Sequence, residues 1–476
     1  MTESVDVLVI GGGITGLSTA FLLQRNGLRV QLLSAEARVG GSIQTILERG
    51  FLCEAGATSV MPRGPEFLQL VDACGLRHQI LLPSPRARTI LLNRNGSLHP
   101  LPLDPITFLR TTLFSRSAKF RLFREPFIAR SSTDESVAEF FVRRFGQEIF
   151  DYGIEPLLPG TLAGQASRLS LRSTLPVLHA LEQQHGSVTR GLLHGWLHGN
   201  TSRPRTYAHG FTFERGMETV TNGLAAALGS TCLTGARATG VSVVRNHPVT
   251  SPYTVSYDQD GSHRQVSAEA VVLAIPAYAA SDLITALSPR TADVLRSIPY
   301  ASLMTISFGF RRSDVRHPLD GFGYFLSASE RRHLLGCFWN SSQYRDRAPR
   351  GHVAISAFLG ESNGLEIAKI PEDQAAELAL SEISRTMQIQ GKPVYLHSTR
   401  WARSIPQYEI GHERRMEQLR DFETEYPGII LAGSYRGGIS VGARVAAAHR
   451  HTEIIIARLG RTRSMRQSSS PIQRSA

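Results

Sequence analysis

The chain has 476 residues, more than one hydrophobic core usually organises, so at least two packed units are expected. Hydrophobic residues at 42% and charged residues at 19% exclude a disordered polypeptide. The formal charge of +12 points to a partner with negative charge, but does not choose among nucleic acid, an anionic membrane surface, and ligands that carry carboxylates or phosphates.

Residues 7–24 carry no charge and approach the length of a membrane span, yet three consecutive glycines divide them into a strand and a helix. Val5-Asp-Val-Leu-Val-Ile10 is a β-branched run of the kind buried in a parallel sheet, and a helix is expected from Thr15 to about Asn26. Between them, Gly11-x-Gly13-x-x-Gly16 has the spacing of a dinucleotide cradle. The first glycine permits the tight turn, the second lets a pyrophosphate approach, and the third lets helix pack on strand. The amides at the helix start, with Ile14 and Thr15, face the phosphates. A second strand, Arg29-Val-Gln-Leu-Leu33, ends where an acid for the adenosine ribose is expected. Ser34 stands there and Glu36 follows two residues later, so either one can make that contact.

Arg38-Val-Gly40-Gly41-Ser42 is similar to the segment after the second strand in the amine oxidase and protoporphyrinogen oxidase group of flavoproteins. The resemblance implies an FAD pyrophosphate along this stretch, with Arg38 offsetting phosphate charge. Glu54-Ala-Gly56-Ala57-Thr58-Ser59 resembles the family segment that passes the flavin ring.

Within that group the chain resembles the protoporphyrinogen oxidases through its helical insert: Asp134-Glu-Ser-Val-Ala-Glu-Phe-Phe141, Arg143-Arg-Phe-Gly146, Glu155-Pro-Leu-Leu-Pro-Gly-Thr-Leu-Ala163-Gly164 and Leu181-Glu-Gln-Gln-His-Gly-Ser187. Ser132-x-x-Glu135 reads as a capping box, followed by Val137, Phe140, Phe141, Phe145 and Ile149 on one helical face. The resemblance continues through Glu214-Arg-Gly216-Met217, the strand Ala270-Val-Val-Leu-Ala274, Trp401-Ala-Arg-Ser-Ile-Pro-Gln-Tyr408, and Gly433-Ser434-Tyr-Arg-Gly437-Gly438-Ile439-Ser-Val441. It spans residues 5–458 and implies a non-covalent FAD, because the closing loop lacks a cysteine to carry the flavin covalently. Ala238, Ala274, Trp401, Gly433, Ser434, Gly438, Ile439 and Val441 complete the implied cofactor set. His412 is read as structural.

The chemistry implied is hydride transfer from a porphyrinogen methylene bridge to flavin N5, with molecular oxygen as the expected acceptor. It requires no protein catalytic residue and no metal. Arg88, with Arg86 as competitor, is similar in position to the family arginine that pairs with a propionate; the alternative is a solvated hairpin arginine. Phe322, Phe325 and Phe358 match positions that sandwich the macrocycle, while Ala163 and Gly164 border the pocket. Coproporphyrinogen is the alternative substrate. More distant readings are an amine oxidase, a carotenoid desaturase, or a carrier of flavin or porphyrin without turnover.

The expected class is α/β. A discontinuous Rossmann-like FAD-binding domain of the GR2 flavoprotein type covers residues 1–88, 212–277 and 426–462, and a mixed-sheet substrate domain covers 89–100 and 278–425. A helical insert spans 101–205, and an arginine-bearing tail, 463–476, is expected to be disordered. Cys53, Cys74, Cys232 and Cys337 form no CxxC pair and read as reduced core thiols. With no signal-peptide pattern at the start, the expected location is cytoplasmic, with peripheral contact to the inner face of the cell membrane. The apolar, arginine-bearing 101–130 stretch is the candidate monotopic surface, with ordinary packing as the alternative reading. The other expected partners are the porphyrinogen, a second copy in a homodimer, and a ferrochelatase receiving product; nucleic acid is not expected.

Overall fold

A computed structural model describes residues 3–469 apart from 63, 159–162, 198–209, 244–251, 328, 331–332 and 361–366, without the side chains of 3, 196, 197 and 461–469. Two seven-stranded sheets organise the chain.

The first sheet orders its strands Arg237–Val243, Tyr253–Gln259, Ser262–Leu273, Glu3–Ile10, Val30–Leu33 and Cys232–Leu233, with Ile429–Leu431 also paired to Ser262–Leu273. Glu3–Ile10 is central and parallel to both neighbours, in the register Val7↔Ala270 and Val7↔Val30. Its side chains alternate between two cores. Val7 and Val9 join the core formed with the helix Ile14–Arg25, whereas Leu8 and Ile10 join the opposite one with Leu283, Leu295 and Leu419. Burial on both faces accounts for a β-branched run rather than polar alternation. The helix ends at Asn26, followed by Gly27 at φ 78°.

The second sheet orders Tyr395–Pro406, Tyr300–Arg311, His352–Gly360, Leu334–Phe338, Gly323–Leu326, Ile90–Arg94 and Ser97–Pro100. It is mixed: Gly323–Leu326 runs parallel to Ile90–Arg94 and antiparallel to Leu334–Phe338.

The insert departs from the sequence reading in two respects. The capping box belongs to Ser136 and Glu139, not to Ser132 and Glu135: Glu139 N donates to Ser136 Oγ at 3.1 Å and Ser136 N to Glu139 Oε2 at 2.8 Å. Glu135 is instead held by Arg143. The expected single stripe also divides, because Gly146 at φ 93° ends the helix Val137–Phe145. Val137, Phe140 and Phe141 enter one cluster, while Ile149, in the next short helix, enters another. Beside them Arg144, fully buried, pairs with the equally buried Glu125 at 2.8 Å and with Glu182. Burial opposes the charge on Glu125, but hydrogen bonds from Ser187, Thr189 and Val188 outweigh it and hold its carboxyl below the usual range.

The final helix runs Val441–Ser469, past residue 463, where the basic tail is expected to begin. Neither proline nor glycine follows Gly460 within it, so a helix already docked against Ile14–Arg25 continues. Residues 470–476 lie outside the described part. No described helix is long and apolar enough to cross a membrane.

Candidate functional site

The site begins where the central strand of the first sheet ends. Gly11 adopts φ 121° and its N–H donates to Leu33 O, turning the chain toward the helix. A Cβ on Gly11 would strike Ala274 O, one on Gly12 would strike Ser34 Oγ, and one on Gly16 would strike Gly11 O. Gly13 is different: a Cβ there meets nothing within 4 Å. The cradle is thus closed everywhere except over the second motif glycine, above the amides of Ile14 and Thr15, where a pyrophosphate belongs.

The other predicted cofactor segments converge on this opening. Gly13 bridges to Gly40, Gly40 N donates to Gly12 O at 2.8 Å, and a Cβ on Gly41 would lie 3.5 Å from Gly13 Cα. Arg38 braces the loop, donating to Val39 O at 3.1 Å and Gly41 O at 2.5 Å, so its first task is to hold the glycine turn. Ser34 is buried against Gly12, whereas Glu36 is exposed with its carboxylate 3.9 Å from Arg38. The strand end therefore offers a packed hydroxyl and an exposed carboxylate that pairs loosely with Arg38. Ala238 lies at a bulge in the edge strand Arg237–Val243, two residues after Ala236, whose N–H donates to Ser34 O. Ala274 N donates to Ile10 O, placing Ala274 against Gly16.

Gly56 packs so closely on Ser42 O that any side chain would collide, which joins the Ser42 turn to Ala57 and Thr58. Trp401, reaching in from the second sheet, donates from Nε1 to Ala55 O at 2.9 Å. Gly433 is squeezed between Tyr435 and Ile275 O, and Gly438, at φ 104°, leads through Ile439 into the final helix at Val441. Tyr408 OH donates to Ser434 O at 2.6 Å and accepts from Gly438 N at 3.2 Å, spanning this loop.

Glu54 escaped the sequence reading as a site residue. It is buried and accepts from Met217 N and Thr45 Oγ1, both at 2.8 Å, which ties the glycine-methionine turn to the segment expected at the flavin ring. Burial pushes its carboxyl up to about 8, against the opposing pull of those hydrogen bonds and of Arg347. His412 is held neutral by burial, its pKa lowered to about 4, with Nε2 3.0 Å from Tyr435 O and its ring stacked on Tyr408.

Next to the closing loop a cavity of about 470 Å³ lies between the helical insert and the second sheet. Ala163, Gly164, Tyr300, Leu335, Gly360 and Gln407 line it, with Arg168 and Glu409 paired at 3.0 Å on its wall. Its size falls within the range of small-molecule sites. Tyr300 OH accepts from Ala277 N at 2.9 Å, so one cavity residue also anchors the end of the cofactor sheet.

Phe322, Phe325 and Phe358 do not line this cavity; they gather around Phe338, at centroid distances of 4.6, 5.5 and 4.6 Å. Leu335 belongs both to that cluster and to the cavity wall, so the phenylalanines stand one layer behind it. Phe338 was missed because Gly336-Cys-Phe338 carries no signal beyond strand alternation. Arg88 ends the short helix Pro85–Arg88 and is exposed, as is Arg86. The next residue, Thr89, accepts from Phe322 N at 2.8 Å, placing Arg88 at the rim of the aromatic cluster. Among the described residues no cluster of His, Cys, Asp or Glu is suited to a metal, and all four cysteines are free.

Comparison with known proteins gives the same picture. The family model for flavin containing amine oxidoreductase matches residues 14–448. Protoporphyrinogen oxidase 2 of Arabidopsis thaliana is 28% identical over 489 residues, spanning 95% of this chain and 94% of that protein. Coproporphyrinogen III oxidase of Bacillus subtilis is 30% identical over 91% of this chain and 94% of its own length. Human protoporphyrinogen oxidase is 30% identical over 91% and 95% respectively. Among solved structures, reduced UDP-galactopyranose mutase shares the fold at a TM-score of 0.70 and 16% identity, covering 96% of each chain. A putrescine oxidase does so at 0.69 and 18%, covering 96% of this chain and 100% of that one. With the glycine cradle open where a pyrophosphate fits and this match running almost end to end, the chain belongs to the flavin containing amine oxidoreductase family and is an FAD-dependent oxidoreductase.

Proposed function

We propose that the protein oxidises protoporphyrinogen IX to protoporphyrin IX. The observation that carries this reading is the 470 Å³ cavity beside the flavin loops, lined by small and apolar residues (Ala163, Gly164, Leu335 and Gly360) together with polar ones (Glu155, Gln165, Arg168 and Gln407), in a chain with porphyrinogen oxidases among its relatives. Bound FAD supplies the hydride acceptor. The protein's residues orient the ring and exclude water: Leu335 and the aromatic cluster behind it give one wall, and Ala163 and Gly164 leave room at the other. Arg88, exposed at the rim, is suited to a propionate, and Glu36 to the adenosine ribose.

Coproporphyrinogen is the second reading, favoured by the Bacillus subtilis relative and by polar groups such as Arg168 on the cavity wall. Purified holoprotein incubated aerobically with each porphyrinogen separates the two through porphyrin fluorescence; no porphyrin from either substrate overturns the proposal.

We further propose peripheral contact with the inner face of the cell membrane through Phe120, Phe123 and Phe127, which are 69%, 65% and 82% exposed among Arg116, Lys119, Arg121 and Arg124. Flotation with anionic vesicles tests this: replacing the three phenylalanines by serine abolishes it, and unchanged flotation counts against the contact.

A further inference from the structure

The loop between the strand Ile429–Leu431 and the final helix is held from behind at four consecutive peptide carbonyls. Arg444 Nη1 donates to Gly433 O at 2.7 Å, Tyr408 OH to Ser434 O at 2.6 Å, His412 Nε2 to Tyr435 O at 3.0 Å, and Arg444 Nη2 to Arg436 O. One residue therefore supplies two of the four restraints, and that residue is a cation.

The setting of Arg444 is electrostatically incomplete. Its side chain is 4% exposed, its Nε has no hydrogen-bond partner, and among the described residues no carboxylate forms an ion pair with it. The charged groups beside it are positive: Arg450 lies close enough to disfavour its charge, and Arg436 already has its own carboxylate, Glu423, at 2.7 Å. The remaining neighbours are the hydroxyls of Tyr300, Tyr408 and Tyr435, which burial keeps protonated, and the imidazole of His451, which burial and the nearby arginines keep neutral. Arg444 also sits in the first turn of the helix Val441–Ser469, at its positive end, where a cation is disfavoured. A buried guanidinium at a helix N-terminus, surrounded by like charge, is costly unless an anion completes the arrangement. FAD brings negative charge to this loop, permanently on its pyrophosphate and additionally on the ring once reduced.

We propose that Arg444 is a positioning residue whose buried charge complements the negative charge of bound FAD while its two carbonyl contacts set the closing loop. This role depends on the cofactor and not on which porphyrinogen is oxidised, so it stands or falls separately from the proposed substrate. Tyr300 extends its relevance, since it touches the same buried cluster and lines the substrate cavity.

The test uses the full chain with Arg444→Gln, which keeps a donor for Gly433 O but removes the charge, and Arg444→Lys, which keeps the charge. Two quantities are read without any porphyrinogen: the affinity of deflavinated protein for oxidised FAD, by fluorescence titration, and the two-electron midpoint potential, by dye equilibration. If the anion answered is the pyrophosphate, R444Q weakens oxidised FAD by about tenfold or more and R444K restores most of it. If it is the reduced ring, R444Q leaves that affinity near normal but lowers the midpoint by about 30 mV, equivalent to tenfold in reduced-over-oxidised affinity for a two-electron couple. Either outcome supports the proposal. A folded R444Q whose FAD affinity stays within twofold of the wild type and whose midpoint stays within about 9 mV, or an R444K as impaired as R444Q, overturns it. Where R444Q proves too unstable to isolate, R444K carries the test alone: affinity within threefold of the wild type supports the charge, and a tenfold loss overturns it.

Discussion

Replacing Gly13 and Gly16 separately by alanine separates a glycine needed by the ligand from one needed by the fold. At Gly13 the backbone lies at φ −78° and ψ 173°, which any residue adopts, and an added Cβ meets nothing within 4 Å. In the deflavinated protein Gly13→Ala gains about 0.4–1 kcal/mol from a less flexible unfolded chain. It loses roughly 0.5–1 kcal/mol because alanine is a poorer helix cap, so the net effect is close to zero. At Gly16 the added atom strikes Gly11 O and lies 3.3 Å from Ala274 Cβ, an overpacking that costs about 1–3 kcal/mol with or without cofactor. With FAD the contrast inverts for Gly13, whose methyl then enters the space of the pyrophosphate. A comparable penalty of about 1–3 kcal/mol weakens binding by roughly 5-fold to 150-fold. Urea unfolding of deflavinated protein gives the first pair of numbers and flavin fluorescence titration the second. Wild-type FAD affinity in G13A, or deflavinated G13A as destabilised as G16A, would refute the assignment of the open face to the phosphates.

Glu54 carries a pH signature. Its carboxyl rises from 4.5 to about 8 on folding, so its contribution is fully present below about 4.5 and is lost as pH rises through 8, by up to about 5 kcal/mol at ~1.4 kcal/mol per pH unit. Glu54→Gln flattens the stability profile across that window; parallel urea midpoints for mutant and wild type at pH 5, 6.5 and 8 contradict the reasoning. Arg144→Met takes the buried guanidinium away from Glu182 Oε1 and Glu125 Oε1, leaving Glu182 with Arg143 alone while Glu125 keeps Ser187 and Val188, so a loss near 3 kcal/mol is expected from the ~3–5 kcal/mol typical of broken buried pairs. Denaturation that matches the wild type would show the pair contributes nothing. Arg88→Ala raises KM for porphyrinogen about tenfold, as expected for a partly solvated charge-assisted bond, without changing flavin content. Steady-state kinetics indistinguishable from the wild type would remove Arg88 from the site.

Local rules read from the chain succeeded where one short segment carries the whole signal. The run from Val5 to Gly16 is a buried strand, a turn that only glycine permits, and a helix start, and each appears at its place. The insert shows how far such reading extends. Ser132-x-x-Glu135 and Ser136-x-x-Glu139 satisfy the same capping pattern, and the choice falls to Ser136 because Val137 begins the buried face and Arg143 takes Glu135. Phe338 and Arg444 were not legible at all: one is an ordinary aromatic in a strand, the other an ordinary arginine in a helix, and each gains its meaning from residues up to 144 positions away.

The order of the motifs, and with it the dinucleotide cradle and the family, is determined by the chain alone, because backbone conformations that demand glycine and β-branched runs buried on both faces are written in consecutive residues. Tertiary structure decided which side chains meet at the cavity and behind the closing loop. Leu335 rather than Phe322, Phe325 or Phe358 faces the space, and the guanidinium of Arg444 is left without a carboxylate, since those outcomes depend on how separate strands and helices exclude water from one another.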